Sequence, residues 1–273
     1  ITTTAGTSNF RAGVNAGNSI TSGGNYNVTV GDEAGTAITT GDNNTAFGYT
    51  ALATVSTAGD NTAVGQAALR DNTSGESNTA VGKSALITNT VANRNVAVGR
   101  NSLESVNQAS ALNTYNVAMG YNSGAAVTTG FENTLIGGFA GGALTDADYN
   151  LAVGYQALAN DTLGSRSTAI GRSALQNQNF TGATNTYNTA VGFNAGLSMT
   201  TGINNTIVGG LAGDTLTEGD NNVAIGVQAL TADTKGNKNI AIGDAALRSQ
   251  NFTSSTDAYN VAVGHNAGLA VTT

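Results

Sequence analysis

The chain has 273 residues with 37 Gly, no Pro, Cys or Trp and only 10% charged residues, a composition too poor in bulky side chains for a conventional globular core. Ten cations against 17 acids give a net charge of -7, and no basic stripe exists to neutralise a phosphate backbone, so nucleic acid is excluded as a partner. The absence of Cys excludes disulfides and thiolate metal sites, and no run of 18 apolar residues offers direct membrane insertion.

Taken from the N-terminus, one five-residue phrase ending in glycine returns fifteen times. Its glycines are Gly13, Gly31, Gly48, Gly65, Gly82, Gly99, Gly120, Gly137, Gly154, Gly171, Gly192, Gly209, Gly226, Gly243 and Gly264. The spacing is 17 residues throughout except for one interval of 18 and three of 21. A fixed period near twenty signals stacked repeats. From Gly48 onward four coils form a larger unit, since Gly48, Gly120, Gly192 and Gly264 stand at equal intervals and the wording between them recurs. No linker interrupts the pattern, so residues 1–273 are expected to form a single continuous array. It starts inside a repeat at Ile1 and stops partway through a coil at Thr273, which predicts a piece of a longer chain. Apolar residues at fixed positions in every repeat argue against disorder.

With the glycine numbered zero, position -4 is Asn in fourteen coils and Ser167 in the other. Carboxamides stacked coil upon coil can form a ladder of side-chain hydrogen bonds. Positions -3 and -1 are mostly Thr, Val, Leu or Ile, and Ala dominates -2, the alternation of a β-strand. The small -2 residue suggests a face approached closely by backbone. The invariant glycine predicts a bend that needs positive φ or has no room for a Cβ. Position +1 varies freely and is expected to point outward. At +4 eight coils carry Leu and seven carry Gly, and each of the seven has an apolar residue at +7 (Ile20, Ile38, Val127, Leu144, Met199, Leu216, Val271). One interior slot is filled by two routes, because an empty slot is a cavity and a doubly filled one is overpacked. Where Leu135 and Ile207 replace the usual Ala, +1 becomes Gly138 or Gly210, which suggests a local exchange of shape. The 21-residue coils place their four extra residues on the far side, within 176–187 and 248–259, as surface loops.

The expected architecture is all-β: a parallel β-solenoid, or β-roll, of about fifteen coils. At a stacking distance of about 4.8 Å it would make a rod on the order of 70 Å long.

The phrases Asn-Thr-Ala-Val-Gly-x-x-Ala-Leu and Asn-Val-Ala-Val-Gly-His-Asn-Ala-Gly resemble the repeats of phage tail-fibre proteins. Those repeats are similar in turn to the head of YadA-type trimeric autotransporter adhesins. The resemblance covers essentially the whole chain and implies a left-handed, homotrimeric roll. It implies a structural role in a virion appendage that serves host attachment, with other fibre or baseplate proteins and a host-surface glycan or protein receptor as partners. The alternative it carries is an adhesin head on a bacterial cell surface. Either location is extracellular. The 17- and 21-residue periods exceed the adhesin's shorter one and favour the phage reading.

No constellation for catalysis, cofactor or metal emerges. His265 occupies the +1 slot held by Tyr121 and Phe193 in equivalent coils, which reads as structural rather than catalytic. Asp42, Asp60 and Asp220 sit beside a far-turn glycine, where Asp suits the turn, and the Gly-Gly-x-Gly-x-Asp calcium repeat is missing. No enzymatic role is expected. The candidates for ligand binding are the aromatic residues of the long loops, Phe180 and Tyr187, then Phe252 and Tyr259 at the same places of the next four-coil unit, whose rings among Asn, Gln and Thr suit sugars. The plainer reading is that these rings pin the loop to its neighbours.

Overall fold

The computed structural model describes residues 6–273. They fall into two compact units, Ile1–Asn133 and Thr134–Thr273. Both are parallel β-solenoids, and among the described residues there is no helix.

In the first unit the strands Phe10–Ala12, Val28–Val30, Thr45–Phe47, Thr62–Val64, Thr79–Val81, Val96–Val98 and Val117–Met119 follow one another as neighbours. Pairing is parallel and in strict register, so that Thr62, Ala63 and Val64 face Thr79, Ala80 and Val81. The second unit repeats this with Thr134–Ile136, Leu151–Val153, Thr168–Ile170, Thr189–Val191, Thr206–Val208, Val223–Ile225, Ile240–Ile242 and Val261–Val263. The register holds across the 18- and 21-residue coils as well, as in Phe10 with Val28 and Val96 with Val117, since a slip by one residue would turn every side chain to the wrong face.

The two faces of the strand divide by size in a direction that composition alone does not reveal. The -2 alanines, among them Ala46, Ala63, Ala80 and Ala190, point inward and are fully buried beside the +3 alanines and the +4 leucines. Positions -3 and -1 point out. Val28, Phe47, Met119 and Ile136 are all exposed, and most of their equivalents are half-buried. Ala fills the interior because the coil is thin, and the bulkier residues of the strand lie outside the core.

The marker glycines meet both reasons expected of them. Gly82 has φ +132°, and a Cβ there would lie 2.6 Å from the carbonyl carbon and oxygen of Gly99 in the next coil. Three further positions of each coil, -5, +2 and +4, adopt the left-handed conformation, the first two with residues other than glycine throughout and +4 with Leu in eight coils and Gly in seven. In the Gly82 coil they are Ser77 at 58°, Ser84 at 59° and Leu86 at 50°. A left-handed residue costs about 1–2 kcal/mol for any side chain with a Cβ. For Leu86 full burial offsets it, at roughly 1.5–3 kcal/mol.

The geometry shared by the coils explains the +4/+7 exchange. In the Gly137 coil a Cβ on Gly141 would lie 2.8 Å from Leu144 Cδ1 and 2.7 Å from Leu135 Cδ2, so the +7 and -2 side chains already occupy the leucine's place. Ile207 likewise reaches toward both Gly196 and Gly213. The large -2 residue therefore compensates for glycine at +4. The glycine at +1 is not its partner, because a Cβ on Gly210 would meet nothing within 4 Å. Replacing Leu52 by Gly should cost about 2–4 kcal/mol, the cavity outweighing the relieved backbone. Adding Val55→Leu should restore much of that loss, measured as hydrogen-exchange protection of amides in the Gly48 coil. Equal protection in the single and double variants would refute the shared slot.

The -4 asparagines bond in two directions. Asn78 donates its side-chain amide across the interior to the carbonyl of Ala92 at its own far turn, 2.9 Å away. Its Oδ1 accepts the backbone N–H of Asn95 in the next coil at 3.0 Å. The same pair of bonds recurs at Asn44, Asn61, Asn116, Asn205 and Asn222. Only a carboxamide supplies the donor and the acceptor at this reach. In these coils the Asn is a strut that closes one coil and a rung that orients the following one, whereas Asn95 and Asn239 of the long coils donate back to Asn78 and Asn222.

Candidate functional site

The second and third of the 21-residue coils are anchored from inside by buried polar pairs, whereas the first has Val106 at that place. Asp161 and Gln178 occupy the +7 slots of consecutive coils and are fully buried. Asp161 Oδ1 accepts the N–H groups of Gly164 at 3.1 Å and Phe180 at 3.0 Å, and Gln178 Nε2 donates to Oδ2 at 2.5 Å. The set returns in the next four-coil unit as Asp233, with Gly236, Phe252 and Gln250 at 3.0, 3.0 and 2.7 Å. A buried carboxylate needs such donors to offset its lost hydration. Gln178 also donates to Ser167 Oγ at 2.8 Å and accepts from Asn188 at 2.9 Å, which repairs the asparagine column at its one interruption.

From this anchor each loop runs outward and returns as a short strand on the preceding coil. Thr184–Asn185 pairs with Gly164–Ser165, and Thr256–Asp257 pairs with Gly236–Asn237. The first long loop makes a single bridge, Asn93 to Asn113.

The four aromatic candidates separate into two roles. Phe180 is 7% exposed, Phe252 is half-buried, and the backbone N–H of each is bound by the buried aspartate below. They pin the loop, and burial removes Phe180 as a ligand contact. Tyr187 and Tyr259 are 56% and 64% exposed, beyond the returning strand. The structure does not bring either Phe together with the Tyr of its own loop into one ring pair.

What lies beside the tyrosines is cationic, and the sequence reading overlooked it. The guanidinium of Arg166 stands 4.7 Å from the Tyr149 ring centroid and 6.0 Å from that of Tyr187, with Nε donating to Asn185 Oδ1 at 2.9 Å. In the first unit Arg94 lies 5.7 Å from the Tyr115 ring and donates to its hydroxyl at 2.7 Å. The third copy is Lys238, 5.0 Å from the Tyr259 ring, which donates to Asp257 Oδ2 at 2.6 Å and to the Tyr259 hydroxyl at 3.1 Å. The hydrogen bond from Lys238 holds the Asp257 carboxyl below its usual range, and Asp257 in turn raises the ammonium. The signal was in the sequence as Arg94, Arg166 and Lys238, equally spaced by one four-coil unit and each at position -5 of a 21-residue coil. At the other end of the strands a second cation column runs along +1, where Arg172 lies 6.0 Å from Tyr155 and 5.5 Å from Phe193.

His265 lies in that +1 column, exposed, with Nδ1 3.1 Å from Asp244 of the preceding coil. The far-turn aspartates accept hydrogen bonds from neighbouring coils, as Asp42 does from the N–H of Asn25 at 2.6 Å and Asp220 from that of Ile203 at 2.8 Å. Set against family models, curated proteins and solved structures, the chain matches none.

Proposed function

We propose that this chain is a segment of an elongated homotrimeric fibre, belonging to the tail fibre of a phage or a similar virion appendage and serving host attachment. The observation that carries the reading is the outward row of apolar residues at -3 and -1. A solitary solenoid leaves side chains such as Phe47, Met119 and Ile240 in water, and the row recurs from coil to coil. Apolar surface of that regularity is covered when copies of the chain pack together. The repeat wording, similar to that of tail-fibre proteins, supplies the appendage. No catalytic step belongs to this proposal.

Light scattering should return about three times the chain mass of 27.1 kDa. Ile170→Asp together with Val191→Asp, on the outward face, should shift that mass toward the monomer. A stable monomer of the unaltered chain would overturn the trimer. Antibody raised against the chain should decorate virion appendages in electron micrographs. Decoration of bacterial surfaces in place of particles would transfer the assignment to an adhesin head.

A further inference from the structure

We propose that the long turns carry recognition sites for a carboxylate-bearing saccharide, one at Arg94, Asn113 and Tyr115 and one at Arg166, Asn185 and Tyr187. The inference rests on the attachment role above and names the chemistry of the ligand.

The fold does not require these residues. Position -5 is left-handed from coil to coil, and outside the long turns it is met by short polar residues such as Asn43, Asp60, Ser77, Asn204 and Asn221 as well as by Tyr26, Glu132 and Tyr149, so the backbone there specifies no one side chain. Arg94, Tyr115, Arg166 and Tyr187 adopt it at φ 62°, 50°, 66° and 50°, and all four are exposed. Their backbone strain is therefore not offset by burial. The loop strand that brings Asn185 beside Arg166 occurs only where the coil is lengthened.

The chemistry of the triad is specific. Arg166 commits Nε to Asn185, which leaves its terminal amino groups for a bidentate carboxylate, whereas Arg94 gives one terminal amino group to the Tyr115 hydroxyl and keeps Nε and the other, with Asn113 held by Asn93. Tyr187 offers a half-exposed ring on which the C–H face of a pyranose can stack, and the loop around it supplies Thr, Asn and Ala. A phosphate polymer would need contiguous cations, whereas these recur singly, one to each four-coil unit, in a chain of net charge -7. The third copy is a natural control, because Asp257 already occupies the ammonium of Lys238.

The test uses the full chain with polygalacturonate as acidic probe and dextran as neutral probe, followed by calorimetry and by tyrosine ring shifts in NMR. Polygalacturonate should bind and dextran should not. Arg94→Ala with Arg166→Ala should weaken binding roughly tenfold or more. Asp257→Asn should free Lys238 and raise the stoichiometry from two sites per chain to three. No binding of polygalacturonate, equal binding of dextran, or indifference to both arginine replacements would overturn the inference. So would arginine variants that change the oligomeric mass while binding persists, since the columns would then be contacts between copies. Failure here with trimers that decorate virions sinks only this inference. Acid-dependent binding by a monomer that decorates nothing sinks the fibre reading and leaves this one standing.

Discussion

Gly82→Ala is expected to destabilise the first unit by about 3–5 kcal/mol, the sum of an unfavourable φ and an overpacked contact. The new methyl group would press 2.6 Å from the carbonyl of Gly99, which is backbone and cannot rotate away. Relief requires the two coils to part, and parting breaks the hydrogen bonds between them, from Gly99 N–H to Val81 at 2.7 Å and from Thr79 N–H to Asn95 at 2.8 Å. Gly210→Ala is the matched control, because its Cβ would meet nothing within 4 Å. Thermal unfolding followed by far-UV circular dichroism should separate the two clearly. Similar melting of both variants would show that the marker glycines are not held by close stacking.

The second large effect is expected from Asn222→Leu, which keeps the volume and removes the carboxamide. It leaves the Gly236 carbonyl and the Asn239 N–H without their partners at 2.9 Å, both in the buried interior. Each unpaired group costs about 1–3 kcal/mol, so roughly 2–6 kcal/mol in all. Solenoid coils open by neighbourhood and not all at once, so hydrogen exchange is the proper measurement. Protection should fall first in the Gly226 and Gly243 coils and least in the Ile1–Asn133 unit. Uniform loss, or none, would deny the asparagine its double duty.

Much of the fold was legible because each coil states the same constraints again. The spacing of the glycines, the Asn at -4 and the exchange between +4 and +7 all translate into what the structure contains. The orientation of the strand was harder, since bulk normally marks the interior, and here Ala80 is inside while Thr79 and Val81 are half-exposed. Left-handed leucines were also invisible to sequence reasoning. Nothing in the propensity of Leu69 or Leu175 suggests φ near 50°, and only the stacked environment imposes it. At the candidate site the tyrosines could be picked out by their recurrence, yet their cations were missed because they lie in the preceding coil. The column that joins Arg166 to Tyr187 exists only after winding.

The asparagine column has a direction. Its Oδ1 atoms accept N–H hydrogen bonds from the coil that follows, as Asn27 does from Asn44 and Asn222 from Asn239, so each turn is templated by its predecessor. A block can therefore be duplicated or lost without rewiring those on either side, provided that paired partners such as Asp161 and Gln178 travel together. The natural quantum of such editing is the block of four coils, and through it a gene could lengthen or shorten the protein by recombination while inheriting the same chemistry at every joint.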